Sequence, residues 1–233
     1  FGTAIAEAPA ARPNARPALD LKGGTHRSAH LRNAGGKPEP LARSIIPTYA
    51  IYAPAKARRW STHMNDTLRN LGKDELVELL EIYAKNLIAL DGTWFQSLER
   101  EEGMDTAVRH DIEAWRRFSV SEARRIKKFL GLDERPGIEG LARALALRCQ
   151  SAANVDEILV EGDELTYRIV DCRVQNARKR KGMGFHPCRS VGVVEYGVFA
   201  ESIDDRISCE CLSCFPDMTD DSCNCAWKFT LKA

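Results

Sequence analysis

Glu157-Ile158-Leu159-Val160-Glu161, then Gly162-Asp163, then Glu164-Leu165-Thr166-Tyr167-Arg168-Ile169-Val170, is where the apolar period of the chain changes. Two alternating runs around a Gly-Asp pair predict a β-hairpin, because the glycine can take the positive φ that a two-residue turn requires. Upstream the period is near 3.6. Leu76, Leu80, Tyr83, Leu87, Leu90, Trp94 and Leu98 mark a helix over about 73–102, which Gly103 ends. Val108, Ile112, Trp115, Ser119, Ala123, Ile126 and Leu130 mark a second helix over about 105–130, closed by Gly131. Residues 140–149 read as a third, shorter helix. Downstream, the basic residues 173–181 begin a short helix, Val191, Val194, Val198, Phe199 and Ile203 give another helical face, and 206–213 and 224–231 are β-like. The expected fold class is α+β: an N-terminal helical layer packed on a small antiparallel sheet, in the order ααα-ββ-α-ββ.

Lys+Arg 34 against Asp+Glu 33 looks neutral, but the average joins two unlike parts. Residues 1–63 hold ten basic and three acidic side chains and seven of the ten prolines, with no long apolar periodicity. Such a stretch buries too little surface to offset its ordering entropy. It is read as a disordered extension or as upstream sequence translated in frame before Met64, the rival being an Arg- and Ala-rich transit peptide. Residues 64–233 are acidic on balance and long enough for a single cysteine-rich α+β domain. No apolar run approaches the roughly 20 residues of a membrane helix, and no signal-peptide core precedes the domain, so a soluble cytoplasmic protein with no membrane partner is expected.

In that compartment the eight cysteines stay reduced, which turns attention to metal binding or catalysis. Five lie between Cys209 and Cys225. Cys211 and Cys214 have the Cys-x-x-Cys spacing that lets two sulfurs converge on one ion, and Phe215-Pro216-Asp217 supplies the turn. If 206–213 and 224–231 pair as a hairpin, strand phase sets Cys211 close to Cys225. Cys172, at the end of the first hairpin, and Cys188, after His186-Pro187, can complete a four-ligand set. The candidate metal ligands are therefore Cys172, Cys188, Cys211, Cys214 and Cys225. Zinc is the default ion for thiolates, and an iron-sulfur cluster uses the same ligands. Cys149, Cys209 and Cys223 read as small buried hydrophobes.

Asp91 projects near the apolar stripe of the first helix, and Asp111 and Glu122 near that of the second. Acidic groups there are expensive unless paired. Ion pairing with Arg124 or Arg125 is the economical reading. The functional one is a ligand pocket formed by Asp91, Trp94 and Trp115, with Glu195 posing the same question on the helix after Cys188. The basic cluster Arg173, Arg178, Lys179, Arg180 and Lys181 has no interleaved aromatic and belongs to an acidic domain, so it reads as a solvated helix end and no nucleic-acid partner is expected. P-loop, G-x-G-x-x-G, G-x-S-x-G and H-E-x-x-H motifs do not occur, and only His110 and His186 lie beyond Met64.

A series of ordered motifs carries a resemblance: Leu90-Asp91-Gly92-Thr93-Trp94-Phe95, Glu122-Ala123-Arg124-Arg125-Ile126, Cys172-Arg173-Val174-Gln175 through Arg178, Phe185-His186-Pro187-Cys188, Cys211 through Asp217, and Cys225-Ala226-Trp227-Lys228-Phe229. With Phe199-Ala200 and Ile203-Asp204 they resemble a family of uncharacterised cysteine-rich cytosolic proteins of anaerobic bacteria and archaea, over nearly all of residues 70–231. The resemblance marks the same five cysteines. It departs at Phe215-Pro216, where that family usually shows two prolines, which alters the turn and not the thiols. More distantly, the architecture is similar to the L-2-amino-thiazoline-4-carboxylic acid hydrolase family and the 4-vinyl reductase domain.

The expected function is a cysteine-rich, zinc- or iron-sulfur-binding protein that takes a small-molecule ligand beside the centre. The alternative implied by the distant resemblance is a hydrolase of a small heterocycle, using a cysteine thiolate or metal-bound water, with Glu195 or Asp91 moving protons. Nothing in the sequence fixes an oligomeric state.

Overall fold

The computed structural model describes residues 64–232; the expectations for residues 1–63 lie outside the described residues. The chain forms α1 (Met64–Arg69), α2 (Lys73–Glu102), α3 (Met104–Leu130), α4 (Gly137–Leu145), β1 (Val155–Glu161), β2 (Glu164–Asp171), α5 (Arg173–Arg180), α6 (Arg189–Ile203), β3 (Ile207–Cys214) and β4 (Cys225–Leu231). The strands make one antiparallel sheet in the order β1-β2-β4-β3. The α+β architecture is the expected one, with α5 and α6 as two separate helices between the hairpins.

The β1–β2 hairpin turns on Gly162 and Asp163, with Glu161 opposite Glu164. Gly162 has φ 60° and is the only positive φ in the turn, as a type II′ turn demands of its first central residue. The alternation then does its work: Leu165, Tyr167 and Ile169 of β2 are buried, and across the ladder they meet Phe229, Trp227 and Cys225 of β4. This face packs with Leu141 and Leu145 of α4 and Phe199 and Ile203 of α6 into the main core. Burying each of these side chains contributes roughly 1.5–3 kcal/mol. α6 also packs on α3, and α3 on α2. Gly192 lets the Trp227 indole press against α6, since a Cβ there would stand 2.5 Å from Cζ2 of the ring.

The span of α2 is as expected, but its buried face is not. Ala84, Ile88 and Phe95 are inward, whereas Leu80, Tyr83, Leu90 and Trp94 are more than half exposed. Periodicity alone favours the line through Leu80, Leu90 and Trp94 as the core line; α2 instead buries the line through Ala84, Ile88 and Phe95, interrupted by Asp91. Trp94 is thereby removed from the interior, with 69% of its surface exposed.

Candidate functional site

β3 and β4 do pair, but a register shift between Cys211 and Ser213 changes the expected partners. With one extra residue on the β3 side, Cys211 stands opposite Trp227, and Cys214 stands opposite Cys225. The pair expected from simple alternation, Cys211 with Cys225, is thus corrected to Cys214 with Cys225. A cis peptide bond between Phe215 and Pro216 lies in the turn that follows.

Two further thiols reach the same place from helix starts. Cys172 caps α5 directly after β2, and its backbone N–H donates to Asn224 Oδ1 at 2.9 Å, which ties it to the residue before Cys225. Cys188 caps α6. Gln175, buried on α5, holds the loop before it: its Nε2 donates to the His186 carbonyl at 2.9 Å and to Cys188 Sγ at 3.0 Å, and its Oε1 accepts from His186 N–H at 3.0 Å. Arg189 N–H donates to the Phe215 carbonyl at 2.9 Å, joining the start of α6 to the turn after β3. Cys172, Cys188, Cys214 and Cys225 consequently line one cavity of about 90 Å³, the space of about three waters. Cys211 touches Cys214 from the edge of the group and does not line the cavity.

Acidic side chains line the cavity as well. Asp91 from α2, Asp111 from α3 and Glu195 from α6 line the same cavity, with His186 among them and the Trp115 ring alongside. His186 Nε2 lies 3.4 Å from Asp111 Oδ2, and the His186 ring sits 4.3 Å from that of Phe95. Glu195 is backed by Arg148, whose Nε donates to Glu122 Oε2 at 2.9 Å; Glu122 also accepts from the Cys149 N–H at 3.0 Å. Arg148, and not Arg124 or Arg125, is therefore the partner of Glu122. Of the nine residues selected from sequence, Asp91, Trp115, Glu195, Cys172, Cys188, Cys214 and Cys225 share the cavity; Trp94 and Cys211 stay outside it. Arg178 departs from the solvated-end reading: it is buried and grips both carboxylate oxygens of Glu99, at 2.7 and 2.8 Å, bracing α5 on α2.

Sequence reasoning missed His186, Gln175 and Arg148 as parts of the site. His186-Pro187-Cys188 carried a usable signal, a second ligand type two residues from a selected thiol. Gln175 and Arg148 carried none, since neither spacing nor composition distinguishes a buried amide or guanidinium from a surface one.

Burial and crowding push the acid and the thiols of the cavity in the same direction. Burial, then the negative charge of Asp111 and Glu195, pushes the Asp91 carboxyl up to about 7, against the pull of His186. Burial pushes the Cys172 thiol up to about 11. The Cys214 thiol is pushed up first by its contact with Cys188, and Cys225 first by its contact with Cys214. Thiols crowded in this way hold their protons, and a cation that replaces those protons relieves the crowding. Buried polar atoms at the site await partners as well: among the described residues Trp227 Nε1 and His186 Nδ1 have no hydrogen-bond partner. The donor set thus fits a soft ion in kind. No three His, Cys, Asp or Glu side chains among the described residues already stand where they could hold a metal ion, so binding would require the sulfurs to turn from one another toward the ion. No described helix is long and apolar enough to cross a membrane.

A family model described as a family of unknown function, DUF6125, matches residues 69–231, and the chain belongs to that family. No curated protein matches the chain.

Proposed function

We propose that this DUF6125 member binds a thiophilic metal, zinc or an iron-sulfur cluster, through Cys188, Cys214 and Cys225 with Cys172 and Cys211 in reach, and takes a small ligand in the adjoining cavity. One observation carries the reading: thiols from the starts of two helices and from two neighbouring strands share the wall of a single cavity. Scattered structural cysteines have no reason to meet. Reduced thiols in a cytoplasmic setting, the distribution in anaerobes and the distant likeness to small-molecule-binding and thiazoline-hydrolase domains belong to the same proposal.

Direct attack by a thiolate receives less support, because the surroundings of Cys172, Cys214 and Cys225 favour the protonated form. A metal, if bound, would supply Lewis-acid activation of a water, and Asp91, whose carboxyl is pushed up to about 7 by burial and the neighbouring acids, would hold a proton in the same cavity. The test is anaerobic purification of the full chain with metal analysis and a visible spectrum. Stoichiometric zinc or iron is expected, lost in Cys214→Ser and kept in Cys149→Ser. A well-folded wild type without stoichiometric metal overturns the reading.

A further inference from the structure

We infer that the ligand of the cavity is a small primary amine in its ammonium form, its nitrogen held among Asp91, Asp111 and Glu195 and its short hydrocarbon part against Ile88, Trp115 and Val191. The inference rests on the small-ligand half of the reading above, not on the metal, and gives that ligand its chemical class.

Charge around the cavity is out of balance. Asp91, Asp111 and Glu195 reach it from three different helices. Behind them Glu122 shares the Arg148 guanidinium with Glu195, so four carboxyls face one guanidinium and the His186 imidazole. Even a protonated imidazole leaves the acids in excess. Burial and the charges of Asp111 and Glu195 push the Asp91 carboxyl up to about 7, as befits a site short of cations.

Bonding capacity is left over as well. Asp111 is 8% exposed, and its ionic contact among the described residues is with His186 Nε2 at 3.4 Å. Asp91 forms no ion pair with any described residue. Glu195 Oε1 and His186 Nδ1 are buried and have no hydrogen-bond partner among the described residues. With Nε2 turned to Asp111, the ring proton is assigned there, and Nδ1 is a further acceptor. Buried acceptors round one space ask for a donor inside it. An ammonium brings three N–H bonds and a positive charge, whereas an anion would add to the surplus.

Size and lining select an organic cation over an inorganic one. As the side chains lie, no three His, Cys, Asp or Glu among the described residues could hold a metal ion, so the acceptors border a space wider than an ion. That space is about 90 Å³, room for about five non-hydrogen atoms. Ile88, Val191 and the rings of Trp115 and Tyr196 give it an apolar lining that suits a short alkyl chain. Aromatic faces attract any cation, quaternary ones included, but only N–H groups satisfy the acceptors.

Ligand-observed NMR titration of the full chain at pH 8 with n-propylammonium, n-propanol and propionate, which share a shape and differ in charge, tests the inference. For so small a probe a dissociation constant of about 1 mM is expected with propylammonium. Propanol should bind at least about tenfold more weakly, and propionate should not bind. Asp91→Asn and Asp111→Asn should each weaken propylammonium binding about tenfold and leave that of propanol unchanged. If Asp111→Asn does not fold, Asp91→Asn decides, since it removes a carboxyl that burial already opposes. Equal binding of propanol and propylammonium, a preference for propionate, or wild-type affinity in Asp91→Asn overturns the inference and leaves a small-ligand site standing. Binding of none of the three probes overturns both, whatever the metal analysis gives.

Discussion

Arg148 Nη2 lies 2.9 Å from Glu195 Oε1 with both side chains buried, the arginine completely. The two atoms meet off the hydrogen-bond axis, so charge rather than an aligned bond holds them. Arg148 also serves Glu122 at 2.9 Å, and its guanidinium lies 5.2 Å from the Tyr196 ring and 4.5 Å from that of Phe199. Two carboxylates share one cation that water does not reach. Arg148→Met keeps the volume but leaves both acids uncompensated, and it should cost about 3–5 kcal/mol of unfolding free energy. Urea denaturation measures it; a loss below about 1 kcal/mol would show that the triad is not a structural unit.

Asp91 should make stability depend on pH. Burial, then the charges of Asp111 and Glu195, pushes its carboxyl up to about 7 in the folded chain from an ordinary 3.8. Between those values the folded state holds a proton that the unfolded state has released. The contribution is complete below about pH 4 and is lost as pH rises through about 7, with a slope of at most about 1.4 kcal/mol per pH unit. Asp91→Asn should flatten the thermal-melting curve across that window and melt higher than wild type at pH 8. Parallel curves for the two proteins would refute the assignment.

The thiols of the cavity should be slow to alkylate. At pH 8 a thiol titrating at about 11 is thiolate in roughly one part in a thousand, so Cys172 is nearly inert on this ground alone. Cys214 and Cys225 are shielded further by burial and by each other. Iodoacetamide labelling of the metal-free native chain, read by mass spectrometry, should modify these three only at the rate of opening. Rapid labelling at Cys214 or Cys225 would contradict the described environment.

The two faces of α2 can be separated by adjacent substitutions. Phe95 is 4% exposed and packs against His186; Trp94 is 69% exposed. Phe95→Ala should cost about 3–5 kcal/mol. Trp94→Ala should stay within about 0.5 kcal/mol. A reversal of that order in chemical denaturation would restore the larger apolar line as the buried one.

Most element positions were legible because a change of period from 3.6 to 2 is a property of the residues themselves, and glycines punctuated it at 103, 131 and 162. The choice of buried face on α2 was not. Hydrophobic size favoured the line through Leu80, Leu90 and Trp94, whereas contact with α3 selected the line through Ala84, Ile88 and Phe95. Spacing and strand phase group Cys172, Cys188, Cys211, Cys214 and Cys225, and four of these, without Cys211, line the cavity. The pairing across the strands was not legible, since one inserted residue in β3 exchanges Cys211 for Cys214 and no local signal at Leu212 announces it. Long-range partners such as Arg148 for Glu122 and Arg178 for Glu99 depend on how helices dock, which pairwise spacing along the chain does not encode.

The strand that lies between β2 and β3 is β4, the latest to be synthesised of the four. While the ribosome is still making it, β2 and β3 have no edge to share, and the pocket wants both Cys225 and the indole that backs it. Assembly of the sulfur wall is thus tied to release of residues 225–231. Until that strand emerges, Cys172, Cys188 and Cys214 have no common wall to line, and the cavity is the latest feature of the sheet to close.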